Sequence, residues 1–313
     1  TQTSLSDAYL QRFAGIGRLY GQQALRLFAR SRFCVVGIGG VGSWAAEALA
    51  RTGIGAITLI DMDDVCITNT NRQIHAMQGT VGQPKIEVMR ERILAINPEC
   101  QVHCTDDFVT PDNVADMMSP GFDYVIDAID SVRPKAALLA YCRRNKIPLV
   151  TTGGAGGQID PTQIQVADLA KTLQDPLAAK LRERLKSDYG VRKNGKGRLG
   201  IDCVFSTEPL RYPQADGSAA CGMKNSAEGS MRMDCAAGFG AATVVTASFG
   251  FVAVSHALKK AGGESRAYCS GGISLSGAEP LCNGAGGINQ SLNPVLSGLA
   301  ELRTQPVLFI CCG

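Results

Sequence analysis

Between residues 33 and 151, short apolar runs alternate with longer stretches whose apolar positions recur every three or four residues. The runs at 33–36, 56–60, 101–104, 122–127 and 147–151 read as buried strands, and 43–52, 83–95, 111–117 and 133–145 read as helices. Such alternation implies a mostly parallel sheet with helices on both faces. Upstream, residues 5–32 carry a helical pattern that turns Leu19, Ala24, Leu25, Leu27 and Phe28 toward a core. Downstream of the glycines at 153–157, strand signals at 164–167 and 203–206 flank a polar helix and a basic stretch, about 170–200, that elaborate the same domain. Residues 236–258 are almost free of charge, which fits a helix buried under the sheet or at a dimer contact; membrane association is the alternative. Beyond residue 260 no period persists, so one domain is expected over 1–260, followed by a disordered or artefactual tail at 261–313 without a function.

Composition narrows the class without naming it. Charged residues make up 19% of the 313 and mean hydropathy is +0.04, as in a globular soluble protein. A net charge of +3 is too small to argue for nucleic acid by itself. Twelve cysteines are scattered through a long chain with no leader pattern, so they are expected to be reduced thiols in a cytoplasmic protein. No pair of C-x-x-C occurs, and a zinc site is not expected.

The chemistry starts at Gly37, where "GIGGVG" joins the first strand to a helix, as G-x-G-x-x-G does. Gly37, Gly39, Gly40 and Gly42 would let backbone N–H groups close on a phosphate at the helix N-terminus. Asp61 follows the second strand, at the distance where a carboxylate accepts from ribose hydroxyls. To this point NAD, FAD and ATP all fit. Further cations favour a triphosphate: Arg72 in "NTNRQ" and Lys85 in "VGQPK", with Asp130 after a later strand as a magnesium ligand. Asp61, Arg72, Lys85 and Asp130 all fall on loops at one sheet edge.

The blocks "GIGGVGS", "IDMDDV", "NTNRQ", "VGQPK" and "DAIDS" resemble the ubiquitin-activating-enzyme-like (ThiF/MoeB/HesA) superfamily, a Rossmann-like α/β adenylation fold. Within it, "EALARTGIGAITLIDMDDVCITNTNRQIHA", "VTTGGAGGQIDPTQIQVADLAKT" and "DCVFSTE" closely resemble the tRNA threonylcarbamoyladenosine dehydratase family, over about residues 6–260. The resemblance implies a homodimer that uses ATP and Mg2+ to adenylate the threonyl carboxylate of threonylcarbamoyladenosine in tRNA, whose ureido group then closes a ring. It implies Arg72, Lys85 and Asp130 as catalytic residues. The expected nucleotide contacts are Gly37, Gly39, Gly40, Gly42, Asp61, Asp63, Asn69, Arg72, Lys85, Asp127 and Asp130. An N-terminal arginine from the second subunit belongs to the superfamily pattern; here Gly15 stands where a second arginine would, leaving Arg12 and Arg18 as donors.

Two features admit other readings. Superfamily members that pass a carboxylate to sulfur or to a ubiquitin-like protein often use a cysteine, which makes Cys203 and Cys235 relay candidates alongside a cysteine desulfurase partner; the plainer reading is a small buried hydrophobe. An activator of a sulfur-carrier or ubiquitin-like protein is thus the competing function. Between 180 and 198, eight Lys or Arg face only Glu183 and Asp188. Lys180, Arg182, Arg184, Lys186, Arg192 and Lys193 are therefore candidates for tRNA phosphates, against the alternative of a solvated helix face. An NAD-dependent oxidoreductase is disfavoured by Arg72 and Lys85 and by the lack of any hydride-transfer constellation.

Overall fold

In the computed structural model, which describes residues 4–214, 216–221 and 240–262, the short apolar runs pair into one seven-stranded sheet. Its strands are β1 (Arg32–Val36), β2 (Ala56–Ile60), β3 (Gln101–Thr105), β4 (Tyr124–Asp127), β5 (Leu149–Thr152), β6 (Ile164–Asp168) and β7 (Asp202–Ser206). The spatial order is β3-β2-β1-β4-β5-β7-β6, parallel throughout except for β6 against β7. Strand order reverses between β1 and β4, and a crevice opens at such a switch point beyond the carboxyl ends of the strands. Register decides what enters it. Val36 lies level with Ile60 on one side and Asp127 on the other, so Gly37, Asp61 and Ala128 leave the sheet at one edge.

The helices are α1 (Asp7–Tyr20), α2 (Gln22–Phe28), α3 (Gly42–Thr52), α4 (Lys85–Ile96), α5 (Val114–Met118), α6 (Val132–Arg144), α7 (Pro176–Ser187) and α8 (Thr243–Ala261). The helical stretch expected at 5–32 divides at Gly21, whose φ of +89° suits glycine, and gives way to β1 at Arg32. At the far end of α3, Gly53 has φ +83°, and the Tyr9 hydroxyl donates to its carbonyl, fixing α1 beside the end of α3 remote from the crevice. A two-stranded hairpin, β8 (Arg211–Pro213) with β9 (Ala219–Cys221), carries no alternation long enough to read in sequence.

Most of the described part of the uncharged run lies in α8, which buries Val245, Phe249, Ala253, Val254, Ala257 and Leu258 in the main core. Gly250 allows close packing on α3, since a Cβ there would lie 2.7 Å from the Val41 carbonyl oxygen. Among the described residues no helix is long and apolar enough to cross a membrane. The described residues belong to one compact unit. Residues 236–239 and the tail from 263 on lie outside them, as does Cys235.

Candidate functional site

The turn between β1 and α3 is closed by glycines for reasons of space. Gly37 has φ +87°, and a Cβ on Gly42 would sit 1.8 Å from the Gly37 carbonyl oxygen. That approach wraps the backbone around the α3 N-terminus, where unpaired N–H groups and the helix dipole favour an anion. Two buried side chains fix the turn from below. Asp61 accepts from the Ile38 N–H (2.6 Å) and the Asp63 N–H (2.9 Å), while His75 Nε2 donates to the Ile38 carbonyl (3.0 Å). Burial lowers the His75 pKa to about 4, so its ring is neutral with the proton on Nε2. Burial also raises the Asp61 carboxyl above its ordinary range, opposed by Lys85 and by the two backbone donors.

The expected cations stand on the same wall. Lys85, 6% exposed at the start of α4, places Nζ 2.7 Å from Asp63 Oδ2. Arg72 passes its stem against Gly40 and donates to the Thr68 carbonyl (3.0 Å) and Asn71 Oδ1 (2.9 Å). Asn69 is buried, its Oδ1 accepting from the Cys66 N–H (2.9 Å), which shapes the turn that presents Arg72. Gln73 is buried on this wall too, and its Oε1 has no hydrogen-bond partner. No motif argument had assigned it a role, although "NTNRQ" contains it.

These groups border a cleft of about 970 Å³. Gly37, Gly39, Gly40, Asp61, Asp63, Asn69, Arg72 and Lys85 form one side of it. Asp130, exposed after β4, stands on the other with Ser131, Arg133, Gly153, Gly154 and Leu177. Phe108 and Val109, from the loop after β3, contribute apolar surface. Sequence reasoning missed Arg133, His75 and Phe108. Only Arg133 had a local signal, three residues past Asp130 in the first turn of α6.

Other expected residues are placed elsewhere. Asp127 does not line the cleft: it is fully buried, paired with the equally buried Lys135 (2.9 Å), and accepts from the Thr151 hydroxyl (2.6 Å). It is a structural carboxylate beneath the site. Gly42 supports the turn without lining the cleft. Arg12 and Arg18 are exposed on α1 and do not border the cleft of their own chain. Cys203 is 1% exposed in the core under α7 and its thiol pKa is pushed up by burial, the opposite of what a nucleophile needs. Among the described residues, the cysteine that lines the cleft is Cys66.

The basic candidates divide by direction. Arg182 turns inward onto the Thr172 hydroxyl and the carbonyls of Leu169 and Thr172, and Arg184 lies 3.3 Å from Asp188. Lys180, Lys186, Arg192 and Lys193 are exposed. Asp175 caps α7 through the Ala178 N–H (2.9 Å) and holds the Gly154 N–H (3.0 Å), tying this helix to the cleft wall.

Comparisons agree with this geometry. The ThiF family model matches residues 11–277. The tRNA threonylcarbamoyladenosine dehydratase of Escherichia coli is 78% identical over 256 residues, 82% of this chain and 95% of that protein. The Haemophilus influenzae protein of the same name is 58% identical, over 81% of this chain and 94% of its own length. A crystal structure of the Escherichia coli dehydratase in complex with ATP superimposes with a TM-score of 0.75 at 71% identity, covering 84% of this chain and 98% of that one. The chain belongs to the ThiF family and, within it, to the tRNA threonylcarbamoyladenosine dehydratases.

Proposed function

We propose that this cleft adenylates the threonyl carboxylate of threonylcarbamoyladenosine in tRNA and then lets the ureido group close a five-membered ring. A carboxylate oxygen attacks the α-phosphorus of ATP and pyrophosphate leaves. The ureido group next attacks the activated carbonyl, AMP departs, and the ureido proton passes to solvent, so that the net change in the nucleoside is loss of water. The second step is intramolecular, so positioning supplies much of the acceleration and no protein nucleophile is needed. The buried Cys203 offers no accessible thiol for the competing sulfur relay.

The observation that carries this reading is the glycine turn with Asp61, Arg72 and Lys85 on one wall of a cleft large enough to hold an acceptor beside the nucleotide. Asp61 receives the ribose hydroxyls, and the α3 N-terminus and Gly39–Gly40 backbone meet the phosphates. Arg72 and Lys85 stabilise charge that grows on the phosphate oxygens as the bond to pyrophosphate breaks. Among the described residues no group of three His, Cys, Asp or Glu forms a metal cluster. Magnesium takes one or two carboxylates beside phosphate oxygens and keeps its waters; Asp130, exposed on the cleft wall, would hold it. When bound, it neutralises phosphate charge. Arg12 and Arg18 do not border the cleft of their own chain; on the superfamily pattern, the further arginine would come from a second copy in a homodimer. The enzyme acts in the cytoplasm, where tRNA resides.

Single-turnover incubation of modified tRNA with the protein and ATP-magnesium, followed by mass spectrometry of the nucleosides, tests the reading. Wild type should remove the mass of one water from threonylcarbamoyladenosine and release AMP, and Asp130→Asn should lose most of that activity. ATP turnover without the mass change would leave the nucleotide site standing and make a carrier protein the acceptor.

A further inference from the structure

Arg133 is the cation in the cleft that no other group explains. It is exposed on the cleft wall, and among the described residues it makes no hydrogen bond or ion pair, whereas Arg72 holds two acceptors and Lys85 is paired with Asp63. It sits in the first turn of the 13-residue α6, where the helix dipole disfavours a positive charge, and that turn contains no acidic residue to offset it. Helix stability therefore gives no reason for an arginine here. An anion arriving from outside does.

The neighbours of Arg133 indicate which anion. The nucleotide groups occupy the β1–β2 wall, whereas Arg133 shares its wall with Gly153, Gly154 and Leu177. Leu177 is the second residue of α7, and Lys180 and Arg184 follow it at i+3 and i+7 on the same helical face. Lys180 is exposed one turn along α7 from Leu177, so a free cationic side chain stands on the helix that borders the cleft on the Arg133 side. The cleft volume of about 970 Å³ is at the upper end of the range for pockets that hold one small ligand, leaving room for a second reactant.

Resting on the proposed reading of the site, we infer that Arg133 binds an anionic oxygen group of the tRNA acceptor, the threonyl carboxylate or a phosphate beside the modified nucleoside, and not the nucleotide. Its planar fork suits either anion. The test uses the full chain with Arg133→Ala and Arg133→Lys, both at an exposed position. The Kd for ATP-magnesium should stay within about 2-fold of wild type, while KM for modified tRNA rises about 10-fold or more in Arg133→Ala and is partly restored in Arg133→Lys. Binding to tRNA with and without the threonylcarbamoyl group separates the two sources. Weakening confined to the modified tRNA assigns the carboxylate; equal weakening of both, with a salt slope shallower by about 1, assigns a phosphate. An ATP Kd that weakens as much as the tRNA KM rises, or a tRNA KM that does not move, overturns the inference. A wild-type protein that forms no cyclic product would instead overturn the reading of the site.

Discussion

The two walls of the cleft hold charge in opposite ways. On the β1–β2 wall, Asp61 and Lys85 are buried, and Asp61 and His75 hold the N–H and the carbonyl of Ile38, in two successive peptide units. On the α6–α7 side, Arg133, Lys180 and Lys186 project into solvent. The difference fits the proposed division, with the nucleotide on the first wall and the tRNA on the second. A nucleotide presents a few phosphate oxygens in fixed geometry, and preorganised donors stabilise charge there without rearranging during the reaction. A tRNA presents many phosphates with a counterion cloud, and exposed side chains release those ions without needing one fixed geometry.

The division can be broken at its floor first, where the effect should be largest. Lys135→Met strands the fully buried Asp127, at a cost of about 3–5 kcal/mol in chemical denaturation. Adding Asp127→Asn should restore most of it with ATP affinity near wild type. A double variant that folds but has lost ATP would put Asp127 back among the nucleotide ligands.

The next effect is a pH dependence on the buried wall. The folded pKa of His75 is about 4 against 6.5 unfolded, so between those values the unfolded chain binds more protons. The stability contribution is complete above about pH 6.5, shrinks as pH falls and levels off below about 4, a total of roughly 3 kcal/mol. Urea titrations across that range should show it, and His75→Gln, which can still donate to Ile38, should flatten that window.

Smaller effects belong to the exposed side. Lys180→Ala, Lys186→Ala and Lys193→Ala should each make the salt dependence of tRNA binding shallower by about 1 in the log–log slope, with melting temperature and ATP affinity unchanged. Arg182→Ala should behave differently, losing about 1 kcal/mol of stability because its guanidinium holds the turn before α7. If none of the lysines affects tRNA, this face is only solvated. Smallest of all, Cys203→Ala should leave the cyclisation rate as it is and cost about 1 kcal/mol of stability. A lost activity there would revive a sulfur relay.

Much of this was legible in the chain. Parallel strands buried on both faces appear as short apolar runs, and β1 to β5 fall within a few residues of where those runs lie. The glycine turn was legible because its spacing is a local steric requirement, as Gly37 and Gly42 demonstrate. The hairpin β8–β9 was not, since three-residue strands carry no period. The break at Gly21 was hidden inside a run of helical spacing.

What sequence alone determined is the set of properties that depend on neighbours along the chain: strand and helix order, the phosphate turn, and the family likeness carried by contiguous motifs. The tertiary structure decided which charges face the cleft. Asp127 and Asp130 lie three residues apart, yet one is locked to Lys135 and the other is exposed on the cleft. Arg133 and Lys135 are two residues apart on α6, and residues at that spacing point to different sides of a helix. Lys180 and Arg182 separate in the same way on α7. Which of two neighbouring charges is buried on a distant partner and which reaches the cleft is set by contacts between elements far apart in the chain, and those contacts exist only once the sheet has assembled.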